Sequence, residues 1–318
     1  MQRRSLLAAS TLSLAARAQS DWPSAPVRLV VPFAAGGPTD VPARLLADEM
    51  SRSLPNRIVV ENRTGSGVVV GTDMVAKAPK DGLTLLYTTV GHAVTRAMFD
   101  RLPFDPVADF QPIALVGQVP MIMLINNDFP ARTLAEFTAL IRANPGRYDY
   151  ASSGNGGAVH LASELYLHMA GGLRMNHIAF RGSAAAMPDI LAGRIPMIIE
   201  VAAGALGQLR RGAVRPLAIS TAQRSRLAPQ IPTFIEGGVP GYEAYTWHMV
   251  MAPAGTPMPV INAVQASVSR AVLALTDRLT EMAMEVVPNS TPASATAFLA
   301  SEMAKWEPII RAAGIRAD

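Results

Sequence analysis

Val27-Arg28-Leu29-Val30-Val31-Pro32-Phe33-Ala34-Ala35-Gly36-Gly37-Pro38-Thr39-Asp40 decides the fold. The apolar run from Val27 to Phe33 reads as a buried strand. Ala34-Ala35-Gly36-Gly37-Pro38 then ends it. Two glycines let the backbone turn sharply, and Pro38 suits a first helical position, where a missing N–H costs nothing. From Thr39 to Leu54 the apolar residues Val41, Leu45, Leu46 and Met50 recur at helical period. Strand, Gly-rich turn and helix in this order form the repeating unit of an α/β fold with a largely parallel sheet.

The same alternation extends along the chain. Ile58 to Val60 and Thr84 to Thr89 read as strands, separated by the turn Gly65-Ser66-Gly67 and a helix over Val69 to Lys77. After the Pro-rich passage Leu102 to Pro106 a second set begins. Its helices are predicted over Thr133 to Ala143, Ala158 to Met169 and Ser183 to Leu191. Its strands are predicted over Tyr148 to Ser152, Met175 to Phe180, Ile195 to Val201 and Val214 to Ser220. Two long helices, Met258 to Leu275 and Pro292 to Ala313, end the chain. Two sets of units imply two lobes, with Pro112 to Ile125 and Tyr245 to Pro253 as the crossings between them. The expected division is residues 19–120 and 250–318 for lobe 1 and 121–249 for lobe 2. Pro232 to Pro240 reads as an ordered surface connection.

The second set contains a counterpart of the opening stretch. Tyr150-Ala151-Ser152-Ser153-Gly154-Asn155-Gly156-Gly157-Ala158-Val159-His160 again runs from strand through a small, Gly-rich loop into a helix. A helix start presents unpaired N–H groups and the positive end of a dipole, which favours anions. For the first loop alone, a plain connection explains the glycines equally well. A second such loop in the other lobe favours two helix starts facing a small anion across a cleft, with Ser152, Ser153 and Asn155 adding neutral donors.

Other chemistry is poorly supported. Gly65-Ser66-Gly67-x-x-x-Gly71 only partly matches a dinucleotide fingerprint. The histidines at 92, 160, 168, 177 and 248 lack metal-ligand spacing, so neither a metal nor a cofactor is expected. His160, one turn into its helix, is placed to bond back to its loop, and His92 to line the cleft. No G-x-S-x-G elbow is present, so no catalytic residue is assigned and the chain is not read as an enzyme.

The N-terminus bears on compartment and charge. Met1 to Ala18 reads as a secretory leader: Arg3 and Arg4, an apolar run over Leu6 to Ala16, and the cleavage site Ala16-Arg17-Ala18. The chain carries 28 Lys and Arg against 24 Asp and Glu. Three of those arginines lie in the leader, so the remainder is near neutral and offers no bulk attraction for nucleic acid. Cysteine is absent, which excludes disulfides, thiolate catalysis and a lipid anchor on cysteine. A periplasmic protein is expected, exported by the general route or, given Arg3-Arg4, the twin-arginine route.

Taken together, Pro32-Phe33-x-x-Gly36-Gly37-x-x-Asp40 with Arg44, Glu61-Asn62-Arg63, Ala78-Pro79-x-Asp81-Gly82-x-Thr84-Leu85-Leu86, the loop from Ser153 to His160, Arg181-Gly182 and Ala252-Pro253-Ala254-Gly255-Thr256-Pro257 make the chain resemble the Bug family. These are the extracytoplasmic solute receptors of tripartite tricarboxylate transporters, and the resemblance runs over essentially the whole chain. It implies a type II periplasmic-binding-protein fold of two α/β lobes, a small carboxylate ligand and membrane transporter subunits as partners; the chain itself is expected to be a monomer. It also implies ligand contacts from Phe33, Ala34, Ala35, Gly36, Gly37, Pro38 and Thr39 in lobe 1 and from Ser152, Ser153, Gly154, Asn155, Gly156, Gly157, Ala158 and His160 in lobe 2. Thr88, Thr89, His92 and Arg181 are further contributors on this reading. Gly157 stands where the family often has serine, and Glu200 where a shorter acid is common. A sensing receptor feeding a signalling system is the alternative, and a secreted hydrolase a weaker one.

Overall fold

The computed structural model describes residues 22–317, so the leader expected over Met1 to Ala18 lies outside the described residues. The first set of units comprises β1 (Val27–Val31), α1 (Asp40–Ser51), β2 (Ile58–Asn62), α2 (Val69–Ala76), β3 (Thr84–Thr88) and α3 (Val90–Met98). Strands β2-β1-β3 are parallel neighbours, as strand–helix–strand units require. Val27, Leu29, Val30 and Val31 are all buried, which accounts for the unbroken apolar run.

A second set of units follows β4 (Phe110–Ile125). It comprises α4 (Leu134–Ala143), β5 (Asp149–Ser152), α5 (Ala158–Met169), β6 (Asn176–Ala179), α6 (Ser183–Leu191), β7 (Met197–Val201), α7 (Ala202–Arg210) and β8 (Arg215–Ile219). Strands β7-β5-β6 are again parallel. Thr133 caps α4 by accepting the Glu136 N–H at 3.2 Å. The chain then returns along β9 (Tyr245–Pro253) into α8 (Met258–Ala274), α9 (Thr276–Glu281), β10 (Glu285–Val286) and α10 (Pro292–Ala313).

Strand β4 joins the two halves. It is 16 residues long, or roughly 50 Å at the usual strand rise. Its residues from Phe110 to Pro120 pair with β9, and those from Met121 to Ile125 pair with β7 and β8. Register shifts after Pro112 and Leu115 bend it, consistent with a proline that lacks a ladder donor. Gly117 lets β10 approach: a Cβ there would stand 2.6 Å from the Met284 side chain. Helix α10 packs on β4, α3 and α5, so it touches both halves. It is anchored to β9 by Glu302, whose carboxylate accepts from the indoles of Trp247 at 2.8 Å and Trp306 at 3.0 Å.

Some elements depart from the sequence reading. Helices α3, α7 and α9 and strand β10 were not anticipated. The segment from Pro232 to Pro240 is ordered but not superficial, since Phe234 and Val239 are buried and Phe234 stacks on Tyr242. Its Thr233 and Glu236 exchange side chain-to-backbone bonds, giving the segment a local cap.

Candidate functional site

The first loop runs from the carboxyl end of β1 into α1. Ala34, Ala35, Gly36 and Pro38 are exposed, and Phe33 and Gly37 are half-buried. Gly36 has φ +76°, the left-handed turn that its glycine permits. The loop is held from behind by Asp40. One oxygen of that buried carboxylate accepts the Gly36 N–H at 2.8 Å and Arg44 Nε at 2.8 Å; the other accepts Asn62 Nδ2 at 2.7 Å. Asn62 also donates to the Phe33 carbonyl and accepts from Arg44. Burial works to raise the Asp40 pKa, but the bonds from Arg44, Gly36 and Asn62 prevail and leave it below 3.8. Asp40, Arg44 and Asn62 were marks of resemblance in the sequence; the structure shows that they form one clamp.

Next to this loop, the turn from β3 into α3 brings Thr88 and Thr89 to the same edge. Both are buried, and the Thr88 hydroxyl has no partner. His92 was expected to line the cleft. It lies on α3 with its ring fully buried, Nε2 donating to the Pro106 carbonyl at 2.8 Å and Phe110 packed edge-on. The apolar face of α3 claims it for the core, and burial pushes its pKa down to about 4.

The second loop runs from β5 into α5. Ser152 is buried; its hydroxyl shares a 2.6 Å bond with His177 Nε2 and closes a short turn with Gly154. Ser153, Gly154, Gly157 and Ala158 are half-buried, and Asn155 is exposed. The Gly156 N–H is not free: it donates to His160 Nδ1 at 3.0 Å. Asn155 is also engaged, donating to the Arg316 carbonyl at 2.7 Å. Behind the loop, the His160 and His177 rings stack with centroids 3.7 Å apart, and His177 stacks on Tyr150. The Tyr150 hydroxyl donates to Glu164. Burial, then the neighbouring His177, push the His160 pKa down to about 3, and burial also lowers His177. Both rings are therefore neutral at pH 7, the state in which Nδ1 of His160 accepts the Gly156 hydrogen bond.

Arg181 lies exposed in the turn from β6 into α6, whose Gly182 N–H donates to the Ser153 carbonyl at 3.1 Å. Each half of the molecule thus gathers its loops at the carboxyl ends of its parallel strands, the edge at which open α/β sheets bind ligands. A cavity of about 430 Å³ lined by Arg44, Asp48, Ser51, Arg57 and Val59 includes none of these loop residues. Among the described residues, no group of three or more His, Asp or Glu is placed to hold a metal ion.

Residues 42–315 match the model of the tripartite tricarboxylate transporter family receptor. The chain belongs to this family. Among curated receptor-family relatives, the protein BugT of Bordetella pertussis is 33% identical, over 96% of this chain and 95% of its own. Rpa4515 of R. palustris, solved with adipate, is 32% identical with a TM-score of 0.77, covering 93% of this chain and 99% of that one. The periplasmic binding protein BugD matches with the same identity, TM-score and coverage. MatC of Rhodopseudomonas palustris, solved with bound malate, is 30% identical with a TM-score of 0.76, covering 91% of this receptor and all of MatC. The receptor therefore has the two-lobed α/β fold of periplasmic solute-binding proteins.

Proposed function

We propose that this receptor captures a small carboxylate between its two Gly-rich loops in the periplasm and delivers it, as a monomer, to the membrane subunits of a tripartite tricarboxylate transporter. The observation that carries the reading is the pair of strand–turn–helix loops, Phe33 to Thr39 and Ser152 to Ala158, one at the carboxyl edge of each parallel set. Helix-start N–H groups hold an anion without a buried cation that must be desolvated again when the ligand leaves. Bound adipate and malate in two related structures agree with a carboxylate cargo. Thr88, Thr89 and Arg181 complete the site at its rim. The lobes close about β4 and β9, and the ligand favours closure because it contacts both.

The test adds one negative charge to either loop. Ala35→Asp is at an exposed position and Ser153→Asp at a half-buried one, so both variants keep the melting temperature of the parent. Each lowers the affinity for the carboxylate that stabilises the parent in a thermal-shift panel by tenfold or more. Affinity unchanged in both would remove the loops from the site.

A further inference from the structure

Among the described residues, Glu200 is the one acidic side chain that combines near-complete burial with an unsatisfied oxygen. It is 5% exposed. Its Oε1 accepts the Val201 N–H at 3.0 Å, while Oε2 has no hydrogen-bond partner. Among the described residues no Lys, Arg or His pairs with it. Its position is on the ligand edge. β7 runs parallel to β5, with Met197 beside Tyr150 and Ile198 beside Ala151, and Glu200 follows two residues later, one residue before the carboxyl end of β7. Burial raises its pKa, opposed by the nearby Ser183 hydroxyl at the start of α6 and by the Val201 N–H at the start of α7; neither gives Oε2 a hydrogen bond of normal geometry. The carboxyl group therefore sits among the helix starts that follow β6 and β7. Gly204 in the first turn of α7 leaves it room: a Cβ there would stand 3.2 Å from Oε1.

A buried carboxylate oxygen without a donor is costly, and a second anion beside it more so. A ligand N–H removes that cost. We infer that Glu200 is a specificity-determining residue whose free oxygen receives an ammonium or amide N–H of the cargo, so that the preferred cargo is a carboxylate bearing such a nitrogen rather than a plain dicarboxylate. The inference rests on the receptor reading above and narrows its ligand class.

Titration calorimetry on the purified protein tests it with matched pairs: aspartate and asparagine against succinate, glutamate and glutamine against glutarate, and 4-(aminomethyl)benzoate against 4-methylbenzoate. The expected result is at least a tenfold preference for the nitrogen-bearing member of whichever pair binds. Glu200→Gln, close in shape, reduces that preference to less than threefold while the plain carboxylate still binds. Glu200→Asp, which keeps the charge, retains a preference and guards against a merely structural effect. Equal binding within a pair, a preference for the plain dicarboxylate, or a preference undiminished in Glu200→Gln would overturn this inference and leave the receptor reading standing. Silence of the protein toward every carboxylate would overturn both.

Discussion

The two Gly-rich loops share a backbone plan and are held by opposite electrostatic means. The first is clamped by charge: Asp40, Arg44 and Asn62 form a network whose guanidinium side chain is about half exposed. The second is held by neutral groups, with His160 accepting from Gly156, His177 bonded to Ser152, and the segment after α10 fastened to Asn155. That segment also reaches lobe 1, through an ion pair of Arg316 with Asp100 and the Ala317 N–H on the Met98 carbonyl. An ionic clamp persists across neutral and mildly acidic pH, whereas a neutral imidazole acceptor is lost once it is protonated.

Acid gives the largest expected contrast. His92, His160 and His248 have pKa values pushed from 6.5 to about 4, about 3 and about 4. Groups with depressed folded-state values contribute stability in full above 6.5 and lose it as pH falls toward those values. At pH 5 the loss is about 2 kcal/mol for each histidine. Asp40, lowered from 3.8, keeps its contribution until pH falls below that value. Hydrogen exchange at Gly156, corrected for its intrinsic pH dependence, therefore loses protection between pH 6.5 and 4, while Gly36 stays protected. Equal protection of the two amides through this range would erase the distinction.

Methyl addition gives a smaller contrast. Gly36 and Gly156 both have positive φ, so alanine at either is strained by about 1–2 kcal/mol. At Gly36 the new Cβ meets nothing within 4 Å, whereas at Gly156 it falls 2.0 Å from Met98 Cε. Urea unfolding is expected to show Gly156→Ala costing about 1–3 kcal/mol more than Gly36→Ala. Adding Met98→Ala recovers part of that excess in a double-mutant cycle. A vanishing coupling energy would place Met98 elsewhere than on the second loop.

The smallest effect separates two roles for Asn155. Bonded to the Arg316 carbonyl, it acts as a fastener rather than a ligand donor. Asn155→Ala should cost about 0.5–1.5 kcal/mol of stability and speed exchange of the Ala317 amide, while changing carboxylate affinity less than threefold. A tenfold affinity loss would return Asn155 to the ligand-binding set.

The alternation of strands and helices was legible because apolar period and glycine–proline punctuation are local signals. Helix α3 carries no such local signal, because it follows β3 after a single residue, Thr89, with no proline or glycine turn before it. The burial of His92 is illegible for the same reason: without that helix its ring has no face, and with it the ring packs in the core. The first loop's clamp was half visible, since Asp40 and Arg44 lie four residues apart, but Asn62 comes from the next strand.

By itself the sequence determined where the chain turns and where helices begin, because φ preference, missing proline donors and side-chain period act within a few residues. Tertiary structure alone decided which loop N–H groups are already taken, which imidazoles must stay neutral, and that Glu200 is buried with one oxygen free. Those outcomes depend on groups distant along the chain, such as Asn155 and Arg316, 161 residues apart. Hydrogen bonding and desolvation depend on what the completed fold brings together, not on spacing along the chain.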